Sequence, residues 1–259
     1  MGIEIPPERW GAFVPRLGIG TRRVLDALRG ADARGTFFIL GAAAERHPEL
    51  VREIAADGHE IASHGWSHTK VYDLTPRSFT QEVVRTDDLL EELTGQRPKG
   101  FRAPYFSITR DSLWALDILR EQGYLYDASI YPGSNYRYGI PGSSHLVHRL
   151  PNGLVEFPVS TFELAGRRVG VGGAYLRILP LSLTRRGLRK RDAQRLDTTV
   201  YLHPWELDPS HPVVRFPWKA MATHYARLRT TGRKFRALLD GSRPVTMREQ
   251  LAGWLDESQ

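Results

Sequence analysis

The feature that most limits the fold of this chain is a regular alternation of short apolar runs with longer stretches of helical periodicity. Thr36-Phe37-Phe38-Ile39-Leu40 reads as a buried strand, and the run from His59 to His64 as the next. Between them Pro48, Leu50, Val51, Ile54 and Ala55 predict a helix that stops at Gly58. Thr75-Pro76 opens a long helix whose Phe79, Val83, Leu90 and Leu93 share one face, and Gly95 ends it. Gly100-Phe101-Arg102-Ala103 is a short strand, Thr109 caps a helix closed by Gly123, and 124–129 and 155–159 are strand-like. An earlier helix is expected over 21–32 with Thr21 as its cap, an irregular loop over 131–153, a turn at 170–173 and a helix over 181–195. Thr198-Thr199-Val200-Tyr201-Leu202 is the clearest late strand; a helix over 223–239, a short segment at Val245 and a last helix through Leu251 and Trp254 complete the chain. Seven candidate strands alternating with helices predict an α/β fold, a parallel sheet or barrel carrying helices outside. No break in pattern divides it, so one domain over 1–259 is expected.

Composition excludes several classes of function. The 259 residues contain no cysteine, which removes disulfides, thiolate zinc sites and cysteine nucleophiles, so any bound metal must use His, Asp or Glu. No run approaches the ~18 apolar residues of a membrane-spanning helix, and the first residues lack the basic-then-apolar layout of a secretory signal. A cytoplasmic location is the default expectation, with an export signal upstream of the given start left open. The net charge of +7 is densest over Arg185-Arg186-Gly187-Leu188-Arg189-Lys190-Arg191, where no aromatic residue is interleaved for base stacking. That run reads as a solvated helix face, and no nucleic-acid partner is expected.

The chemistry is expected where strands end. Ser63-His64-Gly65-Trp66-Ser67-His68 sets two imidazoles four residues apart, and both would turn to one side if the segment were a helical turn. Arg102, Asp127 and His203 stand at three other strand ends. Read singly, Arg102 and Asp127 suit a structural ion pair, and His203 a hydrogen-bonded core histidine.

Taken in order, Ser63-His64-Gly65-Trp66-Ser67-His68, Phe101-Arg102-Ala103-Pro104-Tyr105, Tyr126-Asp127-Ala128-Ser129 and Leu202-His203-Pro204-Trp205-Glu206 resemble the motifs of the polysaccharide deacetylases, carbohydrate esterase family 4, with its nodulation-protein-B-like fold. Tyr138-Gly139-Ile140-Pro141, Gly172-Gly173-Ala174-Tyr175-Leu176-Arg177 and the residues after His203 resemble the branch found in exopolysaccharide loci. The resemblance implies a distorted parallel (β/α) barrel of seven to eight strands, with core motifs over 36–206 and an extension over 207–259. It implies metal-dependent removal of an acetyl group from an N-acetylated glycan. His64 and His68 are then ligands of a divalent metal, zinc by the family's habit. His203 becomes the general acid, Asp127 the group that orients it, Arg102 the partner of the carboxylate acting as base, and Tyr105 a main-chain donor to the oxyanion. Trp66, Pro104 and Trp205 are expected to meet the sugar.

One family element has no counterpart here. The first strand, ending in an acidic pair that supplies the third metal ligand and the general base, is not found before Ile5-Pro6-Pro7-Glu8-Arg9-Trp10. The expectation is a truncated start; Asp73, Asp127 or Glu206 recruited as ligand, or a degenerate site, are the alternatives. Two further readings compete with the deacetylase: a metal-independent cyclic amide hydrolase on the same scaffold, and a glycan-binding or assembly protein without catalysis.

Overall fold

In the computed structural model of the chain, residues 16–133, 138–212 and 224–257 are described. In chain order the elements are α1 (Leu17–Arg29), β1 (Thr36–Ile39), α2 (Gly41–Arg46), α3 (Pro48–Ala56), β2 (Glu60–Ser63), α4 (Pro76–Thr94), β3 (Gly100–Phe101), α5 (Trp114–Glu121), β4 (Tyr126–Asp127), β5 (His148–Arg149), β6 (Val155–Glu156), β7 (Thr161–Leu164), β8 (Arg167–Gly170), α6 (Gly173–Ile178), α7 (Leu181–Ala193), α8 (Leu228–Leu239) and α9 (Met247–Glu257). They gather into two compact units. One holds residues 34–133, 138–159 and 245–257, the other residues 16–33, 160–212 and 224–244.

The first unit is built on a six-stranded sheet in the order β1-β2-β3-β4-β6-β5. Every pairing from β1 through β6 is parallel, and only β5 runs antiparallel, against β6. The register aligns Ile39 with Ser63, Ser63 with Phe101, Phe101 with Asp127 and Asp127 with Glu156. The carboxyl ends of neighbouring strands therefore lie side by side, which is where α/β sheets place their chemistry. The helix most legible in the sequence is α4. Its Thr75 accepts from Ser78 N–H at 3.2 Å while Ser78 Oγ accepts from Thr75 N–H at 2.9 Å, Pro76 occupies the first turn, and Gly95 closes it at φ 74°. Phe79 and Val83 of α4 pack with Phe101, Ile108, Leu119, Tyr124 and Leu154 in one core, and each buried side chain of this size contributes about 1.5–3 kcal/mol. On a second core, Met247 and Leu251 of α9 pack with Tyr126, Val155 and Phe157.

The second unit joins α1, the β7–β8 hairpin, α6, α7, the 3-10 turn Pro204–Leu207 and α8. Gly20 of α1 lies so close to the Pro204 carbonyl that a Cβ there would sit 2.3 Å from its oxygen. Arg16 grips the buried Asp208 with Nε at 2.5 Å and Nη2 at 2.8 Å. This bidentate pair holds the Asp208 carboxyl below its usual range, through the Arg16 hydrogen bond first.

Several sequence expectations are corrected. The mostly parallel α/β architecture agrees with expectation, with six strands in the main sheet and two in a separate hairpin among the described residues; the differences are local. Residues 198–202 form no strand; Tyr201 makes a single parallel bridge to Gly172, because Ser160 and Arg191 side chains take the polar groups that a ladder would use. Residues 170–173 are not a turn but the end of β8 and the start of α6, and the 131–153 loop contains β5. Thr21 sits inside α1, its hydroxyl donating to Leu17 O at 2.9 Å instead of capping. The start expected at 223 for the late helix lies outside the described residues, and α8 begins at Leu228.

Candidate active site

The segment after β2 is held in a shape that its residue types would not adopt unaided. His68 has φ 64°, and across from it Tyr105 and Phe106, after β3, have φ 56° and 53°. Left-handed backbone at aromatic residues costs of order 1–3 kcal/mol each and is kept only where surroundings enforce it. For the histidine segment the enforcing group is Glu82 of α4, whose carboxylate accepts the Trp66 and Ser67 N–H groups at 3.1 and 3.3 Å and the Ser67 hydroxyl. The two imidazoles are thus brought together by a tight loop, not by the helical turn that their spacing suggests. Their ring centroids are 5.3 Å apart, and the Tyr105 ring lies 4.6 Å from that of His68.

His64 Nδ1 lies 2.5 Å from Arg102 O. A carbonyl only accepts, so Nδ1 carries the proton and Nε2 keeps the lone pair, the tautomer suited to a metal ligand. Arg102 itself donates Nε–H to Ala128 O at 2.9 Å, and its guanidinium lies 4.3 Å over the Phe38 ring and 5.7 Å over Phe106. Main-chain carbonyls and ring faces hold it, so β1, β3 and β4 together aim this side chain. His64, His68, Arg102 and Tyr105 are therefore one constellation at the ends of β2 and β3.

Asp127 takes a different place from the one expected. It is fully buried, accepting Ser129 N–H at 3.1 Å and the Ser129 hydroxyl at 2.6 Å, while Ser129 Oγ accepts Ala103 N–H at 2.7 Å. Opposite it in register stands Glu156, also fully buried, which the sequence reading missed. Glu156 Oε1 accepts Ile130 N–H at 2.9 Å, and Oε2 makes no hydrogen bond of ordinary geometry. Burial pushes both carboxyls up, and the charge of Asp127 pushes Glu156 further, well above the usual range; Ser129 partly offsets the rise at Asp127, and Arg102 that at Glu156. Glu156 is therefore the carboxyl of the pair that is pushed up further. The signal in the sequence was a glutamate inside the apolar run Leu154-Val155-Glu156-Phe157-Pro158-Val159.

The remaining expected residues divide by role. Pro104 is buried at the start of its turn. Trp66 is half-buried, with the Arg85 guanidinium 3.4 Å from its ring centroid and its edge against Gly41, where a Cβ would stand 2.3 Å away. In the second unit, His203 precedes the turn Pro204–Leu207 with its ring 55% exposed, and Nδ1 lies 3.3 Å from Glu206 Oε2. The same oxygen accepts the His203 main-chain N–H at 2.8 Å, and Oε1 accepts Arg177 Nη1–H at 2.6 Å. Trp205 is stacked on His224 at 4.1 Å and lies beneath the Arg177 guanidinium at 4.7 Å.

The His64 and His68 rings stand side by side, with Nδ1 of His64 tied to Arg102 O. Among the described residues no group of three His, Asp or Glu side chains could hold a divalent metal. The candidates for recruitment are engaged elsewhere: Asp73 with Lys70 at 3.2 Å, Asp127 with Ser129 and Glu156, Glu206 with Arg177. No helix among the described residues is long and apolar enough to cross a membrane.

Comparison with known proteins bears on this arrangement. The family description Polysaccharide deacetylase matches residues 18–126, and a domain of unknown function, DUF3473, matches residues 128–252. A peptidoglycan-N-acetylglucosamine deacetylase of Bacillus cereus is 28% identical over 172 residues, 62% of this chain and 62% of that protein. A peptidoglycan deacetylase-like protein of Gibberella zeae is 36% identical over 121 residues, 46% of this chain and 35% of its own. The chain thus spans less than two thirds of either relative. Among solved structures, a candidate polysaccharide deacetylase of Mycobacterium smegmatis superposes with a TM-score of 0.66 at 23% identity, covering 93% of this chain and 79% of that one. PuuE allantoinase superposes at 0.61 with 19% identity, covering 92% and 74%; at such identities both likenesses speak to the fold.

Proposed function

From the premise that residues 18–126 belong to the polysaccharide deacetylase family, whose members hydrolyse carbon–nitrogen amide bonds of N-acetylated polysaccharides, we propose that this chain removes N-acetyl groups from an amino-sugar glycan. The observation that carries the reading is the constellation of His64, His68, Arg102 and Tyr105 at adjacent strand ends, held by backbone conformations that packing alone does not call for. We take peptidoglycan-type N-acetylglucosamine as the substrate class to test first, because the Bacillus cereus relative is named for it.

In this reading water adds to the acetamide carbonyl, the carbon–nitrogen bond breaks, and acetate and a free amine leave. His203 gives the departing nitrogen its proton, and the main-chain N–H of Tyr105 donates to the developing oxyanion. Arg102 supplies positive charge close to His64, whose ring it orients through its own carbonyl. His64 and His68 are proposed as two ligands of a divalent ion, zinc being our choice for two imidazoles. Such an ion, when bound, polarises the amide oxygen and acidifies water. No step above is routed through it, since the acid that completes the ligand set is not among the described residues.

The test is acetate release from N-acetylated chito-oligosaccharides and from peptidoglycan, with zinc supplied. Acetate release that His64→Ala and His203→Ala each abolish is the expected outcome. A folded chain that releases no acetate from any of these glycans would sink the reading, and release that survives chelation would remove the metal role of His64 and His68.

A further inference from the structure

We infer that the outer faces of α7 and α8 dock the second unit on an anionic lipid surface. Charge is divided unevenly between the two units. The described residues of the second carry 19 Lys and Arg against 8 Asp and Glu, a net +11, while those of the first carry 13 against 19, a net −6. Asymmetry of that size within one chain points to a polyanionic partner for the basic part.

The packing of α7 fixes which of its charges meet water. Thr184, Gly187 and Arg191 are buried on its inner face, and a Cβ at Gly187 would stand 2.5 Å from the Phe162 ring. Arg191 serves the interior, donating to Thr161 O at 3.0 Å, to Thr198 Oγ1 at 2.9 Å and to Asp197 O. Helical phase then turns Arg185, Arg186, Arg189 and Lys190 outward together, all of them exposed. In α8 the buried Leu228, Thr231, Phe235 and Leu239 leave Arg229, Arg233 and Arg236 exposed on the outer face. Arg185 Nη2 donates to Ala237 O at 2.6 Å, so the basic face of α7 reaches the last turn of α8.

Most of these charges have no internal counter-charge. Elsewhere surface arginines meet carboxylates: Arg29 meets Asp26 at 2.9 Å, Arg85 meets Glu45 at 3.1 Å, and Arg97 meets Asp88 and Glu91 at 2.9 Å each. Arg186, Arg189, Lys190, Arg229, Arg233 and Arg236 make no ion pair among the described residues. Arg185 and Arg189, Arg186 and Lys190, and Arg229 and Arg233 each stand four apart, where like charges repel and weaken a helix. A face kept for solubility alone would intersperse the two signs. Neither a nucleic acid nor a glycan chain suits this surface. α7 has no aromatic residue and the one in α8, Phe235, is buried, so no ring on these faces can stack a base or a sugar. Cations clustered on helix exteriors suit lipid phosphates, for which about four to eight Lys and Arg make a binding surface.

Co-sedimentation of the full chain with vesicles tests the docking. Phosphatidylcholine vesicles containing about a quarter phosphatidylglycerol are expected to pellet the protein at about 0.1 M salt and to release it at about 1 M, where the screening length falls from about 10 to about 3 Å. Vesicles of phosphatidylcholine alone are expected to leave it in solution. Arg186→Gln/Arg189→Gln/Lys190→Gln should weaken the partition about a hundredfold, at about fivefold per cation. Arg52→Gln/Arg77→Gln/Arg120→Gln, at exposed positions of the first unit, should leave it unchanged. If the α7 variant fails to fold, Arg229→Gln/Arg233→Gln/Arg236→Gln is expected to give the same loss. Equal binding to both kinds of vesicle, no binding to the anionic ones, or an equal loss in the first-unit variant overturns the inference. So does retention on a polyuronate or on single-stranded RNA with anionic vesicles left unbound. Acetate release from soluble chito-oligosaccharides should be the same in the wild type and the α7 variant, so the docking inference and the deacetylase reading fail separately.

Discussion

Glu156→Gln isolates the raised carboxyl between β4 and β6. Glutamine keeps the acceptor for Ile130 N–H and the shape of the side chain, but it cannot titrate. In the folded wild type Glu156 holds its proton well above the ordinary range of 4.5, while in the unfolded chain it does not. A group whose folded affinity for protons is raised contributes stability that is fully present below the unfolded value and is lost as the pH rises through the folded one. Over the window in which only the folded state binds the proton, one proton is worth about 1.4 kcal/mol per pH unit. As the pH rises above the ordinary carboxylate range the wild type should lose stability relative to Glu156→Gln, with a lower melting temperature at neutral pH. Urea unfolding followed by tryptophan fluorescence at several pH values measures it. A difference that stays flat as the pH rises, or grows in favour of the wild type, would refute the raised Glu156 carboxyl.

Other perturbations test neighbouring parts. Burial raises the Asp87 carboxyl to about 6 despite the Tyr124 hydroxyl at 2.5 Å and Arg97, so the wild type should lose about 3 kcal/mol relative to Asp87→Asn as pH climbs through the range from 3.8 to about 6; equal pH slopes in chemical denaturation would contradict this. Gly41→Ala places a Cβ 2.3 Å from the Trp66 ring and 2.7 Å from Thr86 Oγ1, so it should displace the loop bearing His64 and His68, lowering both melting temperature and acetate release. Ser129→Ala removes the acceptor of Ala103 N–H and a donor to Asp127, and a loss of about 1–3 kcal/mol is expected by thermal unfolding. Lys234→Met leaves three carbonyls at the end of α6 without their donor, and a fall in melting temperature is expected by thermal unfolding.

What the sequence made legible was local in origin. The apolar runs at β1 and β2 and the Thr75 to Gly95 signals around α4 are short-range patterns, and each formed where its pattern lay. The constellation of His64, His68, Arg102 and Tyr105 could be anticipated because strand ends of a parallel sheet are neighbours by topology, so residues 38 positions apart meet without any local mark of meeting. Residues that hold the site were missed for the opposite reason. Glu82 reads as one more polar residue of an amphipathic helix, Arg177 as one more arginine of a basic chain, and Glu156 as an interruption in a strand. Their importance lies in what they face, fixed by register and helix phase over 15 to 29 residues. At Trp66 and Pro104 apolar surface is engaged in packing, Trp66 beneath the Arg85 guanidinium and Pro104 buried at the start of its turn.

The placement of strain gives the strongest reason to treat the ends of β2 and β3 as working parts. A loop selected for stability alone would put glycine or asparagine at positive φ, yet here His68, Tyr105 and Phe106 occupy it. The chain spends further polar groups to keep them there. Glu82 is committed to the Trp66 to Ser67 backbone, and Ser129, held by Asp127, to the Ala103 amide two residues before Tyr105. Both supports end on main-chain atoms beside the strained residues, so a change at Glu82 or Ser129 should loosen ring positions before it unfolds the sheet. Glu82→Gln should accordingly lower acetate release more steeply than it lowers the melting temperature, and equal sensitivity of the two would mean that the strain serves the fold and not the reaction.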